Sequence, residues 1–537
     1  RPVASGRVGM SSPDQPATTS SGRPRLPQLA GLRTCASLWI VLGHFMGMPR
    51  VPGAAIMNRG NVPVECFILL SGFVTHYAYS GRRYDTNTQV IRFYARRFGA
   101  VLLSYYTSWA VMLAFSIAAC KEGSCISPKE GDHGWVISRA VMSLLMVQSF
   151  EPQLPIYPHG PAWTISTMGL LWLLYPRLQG WLGPSLERRP LAVAAGAWFV
   201  TQAPVMALLL RPWPQEGPGP DYRDSKPAWF MSEWENRLLY HFPVFRLGDF
   251  ILGMTLAQLL HRGGELLTWR GWGPVADLSV AAVWVITTTV PEDTRGLPFP
   301  AREGYEPVFN VAMQPFIAMF IFASSCPGGE TSLFSAFLRH PVMSGLGEYT
   351  FQVYLWHWPI GMIFKGAENS AFPERASVLG LSGPFLVPFL LVSWVVAALI
   401  SAWAEEPFRK WLRRRVDDWA MAKEAEETAR QIQQGFMLYG RGDGVLLMPT
   451  ISERSESLEH RTATYSPAMT PRSRTGTEPY EEGSPAVAGD QPGRASPPQG
   501  ARLQPPQHRD LAASPVTSPD RVTAGSYSML VPPTVPE

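Results

Sequence analysis

The chain has 537 residues and a net charge of +4, and only 16% of its residues are charged, against roughly 25% in ordinary soluble domains. With no aromatic-flanked basic patch, that balance argues against a nucleic-acid partner, and five scattered cysteines are too few for a disulfide scaffold or a zinc site. The mean hydropathy near zero averages a strongly apolar stretch, 29–404, with a polar one, 435–537, rich in Pro, Ser, Thr and Arg.

In chain order, residues 1–28 are polar and lack the apolar core of a signal peptide. A helix crossing the hydrocarbon needs about 20 mostly apolar residues. Ten runs qualify: 29–48, 62–79, 98–120, 163–183, 190–210, 238–260, 274–290, 307–329, 349–364 and 376–404. The expected fold is therefore all-α, a polytopic bundle of about ten membrane spans. An eleventh run, 135–150, is short and holds Arg139 and Gln148; it is read as a re-entrant or surface helix. Counted so, the basic residues Arg23, Arg25, Arg82, Arg83, Arg92, Arg96, Arg97, Arg188, Arg189, Arg262, Arg270, Arg339 and the run Arg409–Arg415 share one side. By the positive-inside rule both termini are then cytoplasmic, in a multi-pass integral membrane protein. Residues 405–434 read as a charged cytoplasmic helix and 435–537 as a disordered tail with Ser-Pro sites. Cys35, Cys66 and Cys326 read as packing residues, whereas Cys120 and Cys125 bracket a short loop and pair only if it faces an oxidising compartment.

An ionisable side chain inside a span is costly, about 2.5–3.5 kcal/mol for Arg on insertion scales. The first span carries Arg33 and His44, separated by ten residues, so both project from nearly the same face about three turns apart. The plain alternative is that Arg33 snorkels and His44 sits at an interface. Histidine is the natural general base near neutral pH and arginine the natural phosphate anchor.

The run Gly31 to Phe45 resembles the first helix of the acyltransferase family 3 proteins, multi-span transferases that include O-antigen and exopolysaccharide O-acetylases; Arg33 and His44 match their Arg and His ten residues apart. Further runs match in family order. Val64-Glu65-Cys66-Phe67-Ile68-Leu69-Leu70-Ser71-Gly72-Phe73 resembles the second span, with Glu65 for the usual Asp. Trp163-Thr164-Ile165-Ser166 resembles the span that opens Trp-Ser-Leu-Ser, and Arg246-Leu247-Gly248-Asp249-Phe250 the Arg-x-x-x-Phe run. Tyr354-Leu355-Trp356-His357-Trp358-Pro359 and Glu406-Pro407 complete the series over about 29–415. Two positions depart: Met168 stands where the family has Glu, and Ala100 where it tends to have a second Arg.

The resemblance implies transfer of an acyl group, often acetyl, from acyl-coenzyme A as donor substrate to a hydroxyl of a carbohydrate or lipid-linked acceptor, with no bound cofactor and no metal. It implies His44 as general base, Arg33 on the donor, and His357 donating to the oxyanion or holding the His44 tautomer. Glu65, Ser71, Arg97 and Trp163 fall on the substrate side. Plainer readings stand beside these. Arg92, Arg96 and Arg97 either bind phosphates or anchor the chain by positive-inside charge; His159 and Trp163 suit an interfacial belt; Arg246 and Asp249 suit a structural pair. Beyond membrane lipids, donor and acceptor no partner is implied, and oligomeric state is silent. The alternatives are a catalytically degenerate membrane scaffold, for which Met168 speaks, and a transporter, which would call for repeat symmetry and broken helices.

Overall fold

The computed structural model describes residues 24–46, 56, 59–121, 133–151, 158–209, 238–289, 305–373 and 380–439. The chain divides into two units, residues 1–429 with 530–537, and residues 430–529. Of the second, only the start, continuing the last helix, is described. The expected tail beyond 439, the segment 1–23 and Cys125 lie outside the described residues, as does the Cys120 side chain.

No strand occurs among the described residues, and a helix occupies each of the ten apolar runs. We number the helices α1 (Pro27–Phe45), α2 (Asn61–Tyr79), α3 (Asn87–Phe98), α4 (Leu102–Lys121), α5 (His133–Leu144), α6 (Trp163–Arg188), α7 (Pro190–Leu209), α8 (Leu247–Arg262), α9 (Trp272–Thr289), α10 (Tyr305–Ser325), α11 (Leu333–Arg339), α12 (Pro341–Leu346), α13 (Thr350–Ala371), α14 (Gly383–Ile400) and α15 (Glu406–Tyr439). By length and apolar composition three described helices suffice to cross a membrane: Asn61–Tyr79, Pro243–Arg262 and Gly383–Gln433. The pair Asn87–Phe98 and Leu102–Ala118, bent by 49°, qualifies when taken together. Pro190–Val205 and Val311–Ser325 are apolar but shorter. The first helix falls short because Gln28, Arg33, Thr34 and His44 interrupt its apolar run.

The eleventh run splits into α5 and a 3-10 turn, Gln148–Phe150. Arg139 pairs with Glu151 at 3.2 Å, and the buried Gln148 amide donates to Tyr105 Oη and to the Ala162 carbonyl. Polar groups of that kind tie the run to α4 and to the start of α6, which is why it does not continue as one long helix.

The densest packing joins α2 to α8. A methyl group on Gly72 would stand 2.1 Å from the Phe250 carbonyl oxygen, and one on Gly253 2.1 Å from that of Leu69. Two glycines let the backbones touch, the means by which helices associate where lipid offers no hydrophobic drive. Gly72→Val is therefore expected to cut the yield of folded protein several-fold, read by detergent-solubilised monodisperse fraction. An unchanged yield would mean that the two helices do not pack this closely.

Cys66 and Cys326 are buried in the apolar core and Cys35 is half-buried against it, in line with packing.

Candidate functional site

The sharpest polar feature lies where the end of α1 meets the middle of α13. His44 Nδ1 stands 2.9 Å from His357 Nε2, with the rings stacked at 5.2 Å and 4°. His357 is fully buried, whereas His44 is exposed. His357 Nδ1 faces the Val353 carbonyl at 3.2 Å. A carbonyl only accepts, so that nitrogen carries the hydrogen in the neutral ring and Nε2 holds the lone pair. His44 Nδ1–H then donates to it, and the free nitrogen of the pair is His44 Nε2, an unprotonated base on the exposed side.

Sequence-local reasons hold this geometry. Pro359 has no N–H, so the Leu355 carbonyl, four residues earlier, loses its helical partner. The His159 Nε2–H fills that vacancy at 3.0 Å. Tyr354 Oη donates to the Pro161 carbonyl and accepts from Thr164 Oγ1, both at 2.9 Å. These bonds pin α13 to the start of α6. Trp358 stands edge-on to His44 at 5.2 Å and packs beside Gly160, while Phe45 stands edge-on to His357 at 6.0 Å. The Leu381 N–H donates to the Phe45 carbonyl at 2.6 Å and closes the end of α1.

His159 and Trp163 are thus buried rather than set in an interfacial belt. His159 Nδ1 has no hydrogen-bond partner. Trp163 packs on Tyr240 at 5.1 Å and His241 at 4.4 Å, so it anchors that segment rather than meeting the histidine pair. The sequence signal that would have found His159 is the orphan carbonyl that Pro359 creates.

The other candidates separate into distinct places. Ser71 accepts from Trp172 Nε1 at 3.0 Å, between α2 and α6. Glu65 is fully buried, and its carboxylate accepts from Arg246 Nη1 at 2.6 Å and from Gln314 at 2.8 Å. Gln314 also bonds Asp249, and Arg246 lies 3.6 Å from Asp249. The Arg246–Asp249 pair is present, but Glu65 and Gln314 enlarge it into a network joining α2, α8 and α10. Gln314 went unremarked in the sequence, although an amide directly before Pro315 in an apolar run was its signal.

Arg33 is half-buried and makes no hydrogen bond or ion pair among the described residues; Glu348 acts on it electrostatically. Of the three arginines on α3, Arg92 pairs with Asp417 at 3.4 Å and Glu424 at 2.5 Å, and Arg96 with Asp417 at 3.5 Å. Arg97 differs. Its guanidinium lies over the Tyr79 ring at 4.8 Å, with Nε and Nη2 buried and unpartnered. The Tyr84 hydroxyl, which Arg97 and Arg82 influence electrostatically, is also buried without a partner. Burial pushes its pKa up from the usual phenol range, so it stays a donor at neutral pH. Unpaired buried donors beside a cation make a site suited to an anion. Nearby, His76, Ser80, Arg83, Gln179 and Gln258, together with the carboxylates of Asp85 and Glu187, line a cleft of about 450 Å³.

Met168 packs among apolar residues of the core around α6, with no carboxylate in that position. Among the described residues no group of three or more His, Cys, Asp or Glu is set to hold a metal ion.

The sequence model of a family described as an acyltransferase domain, that of acyltransferase family 3, matches residues 26–403. Acyltransferase MdmB of Streptomyces mycarofaciens is 27% identical over 408 residues, covering 73% of this chain and 93% of that protein. No solved structure matches.

Proposed function

The chain belongs to acyltransferase family 3, a membrane acyltransferase, and from that premise we propose that it transfers an acyl group, acetyl first among them, from acyl-coenzyme A to a hydroxyl of a carbohydrate or lipid-linked acceptor. The observation that carries this reading is the His44–His357 pair, with its one free basic nitrogen on the exposed side.

His44 Nε2 takes the proton of the acceptor hydroxyl as its oxygen attacks the thioester carbonyl. The new C–O bond forms, the C–S bond breaks, and the proton passes from His44 to the departing thiolate sulfur. His357 holds the reactive tautomer and shares the charge that develops on His44. Arg97, with Tyr84, holds the donor's phosphates, and Arg33 draws the donor toward the base. Glu65 holds the bundle together through Arg246 rather than touching substrate.

The same reading takes the ten apolar helices as spans of a multi-pass protein with both termini cytoplasmic, which puts Arg33 and Arg97 on the side where coenzyme A is found. A scaffold without catalysis is the second reading, favoured by Met168 in its apolar setting.

Membranes expressing the chain, given acetyl-coenzyme A labelled in the acetyl group, are expected to place label in an alkali-labile ester of the carbohydrate or lipid fraction. No label above control membranes would reject the donor. Arg97→Gln is expected to raise the KM for acetyl-coenzyme A about ten-fold or more with a smaller change in kcat, since it removes a charged contact made in the ground state. An unchanged KM would take Arg97 out of the donor site.

A further inference from the structure

Beyond the family-matched residues 26–403, the chain continues into α15, which runs beside α3. Thr88, Arg92 and Arg96 form one stripe of α3, spaced four apart. Thr88 and Arg92 meet Glu424 at 3.4 and 2.5 Å; Arg92 and Arg96 meet Asp417 at 3.4 and 3.5 Å. At the far end Leu412 Cδ2 would stand 2.7 Å from a methyl group on Gly99. The residue number rises along α3 as it falls along α15, so the helices run antiparallel. The contacts span 88 to 99 on one and 424 to 412 on the other, nearly equal lengths at the same rise per residue. The remaining basic face of α15, with Lys410, Arg413, Arg414 and Arg415, is exposed. Of the acidic groups of α15, Asp417 and Glu424 are turned onto α3, whereas Glu406, Asp418, Glu426 and Glu427 are exposed.

Arg97 is the next residue of α3 after Arg96, and it carries the unpartnered N–H groups of the donor site. We propose that Asp417 and Glu424 are positioning residues for donor binding: they hold Arg92 and Arg96, and through them fix α3 so that Arg97 faces the donor's phosphates. This rests on the reading of Arg97 given above. Each ion pair is partly exposed and weak alone; the four polar contacts act together because all four lie in one register on one short helix. The appended helix therefore tunes donor affinity without contributing an atom to the reaction.

The test uses the full chain, with coenzyme A as the probe of binding and acetyl-coenzyme A for kinetics. The double variant Asp417→Asn, Glu424→Gln is expected to weaken coenzyme A binding about three- to ten-fold. The KM for acetyl-coenzyme A rises in step, kcat stays within about two-fold, and α3 opens to trypsin. Exchanging the charges, with Arg92→Asp and Arg96→Asp added to Asp417→Arg and Glu424→Arg, restores most of the affinity, which a merely folded or unfolded helix would not do. Binding that is lost in Arg97→Gln but untouched in the double variant overturns this proposal and leaves the donor reading standing. Coenzyme A that does not bind the parent protein overturns both.

Discussion

His44→Ala is expected to slow acyl transfer by about 10²- to 10⁴-fold, the usual contribution of a positioned general base. Donor binding should change little, because Arg97 stands on α3 and Tyr84 on the segment before it, away from α1. His357→Phe is expected to cost less, about 10- to 100-fold. It removes the acceptor that keeps the hydrogen on His44 Nδ1, so Nε2 is no longer reliably the free base. His357→Gln, whose amide oxygen can accept that hydrogen bond, should recover part of the loss. Steady-state rates at saturating donor, with protein abundance matched, read all three. Equal rates for His357→Phe and the parent would mean that the stacked pair is a packing contact and that His44 works alone.

The second large effect is on stability. Arg246 faces two buried carboxylates, Glu65 and Asp249, and its Nε donates to the Tyr240 carbonyl at 2.8 Å. Replacing it by Met leaves both acids in a dry interior without a counter-charge, a change that costs roughly 3–5 kcal/mol. Glu65→Gln should cost less, under about 2 kcal/mol, because an amide keeps a hydrogen bond to Arg246 and the guanidinium retains Asp249. Thermal unfolding of the detergent-purified protein is expected to show a large fall in midpoint for Arg246→Met and a small one for Glu65→Gln. The reverse order would place the essential charge on Glu65 and return it to the substrate side. A rescue of Arg246→Met by adding Glu65→Gln would fit the network, since the pair then loses opposite charges together.

The helical body was largely legible because a helix occupies each apolar run, although α8 begins nine residues into its run, α14 seven residues into its run, and α13 ends seven residues past its run. Arg33 and His44 were legible as ionisable residues in one such run. The link from His44 to His357 came from the family resemblance, which implied that His357 could hold the His44 tautomer; the two lie 313 residues apart, and nothing in either helix alone states that the end of α1 meets the middle of α13. Glu65 was assigned to substrate from its place in a motif, whereas its bonds run to residues 181 and 249 positions away. Ser71 was likewise placed from its motif, and the sequence did not announce that its hydroxyl accepts from Trp172 on α6. The three arginines of α3 look equivalent in sequence, and only packing against α15 separates Arg92 and Arg96, which are paired, from Arg97, which is not. His159 looked like a belt residue because it sits at the expected outer start of a span. The missing N–H of Pro359, whose consequence appears only when α13 is set against α6, is what draws it inside.

The central claim is that this chain is a working acyltransferase whose chemistry passes through His44. Its most direct test is label transfer from acetyl-coenzyme A in membranes carrying the parent chain or His44→Ala at equal abundance. The account predicts esterified label with the parent and a loss of at least about 100-fold in the variant. Equal incorporation by both, or none by either when longer acyl donors and acceptor-rich membranes are also supplied, would contradict it and make the non-catalytic scaffold, with Met168 in place of a carboxylate, the better description.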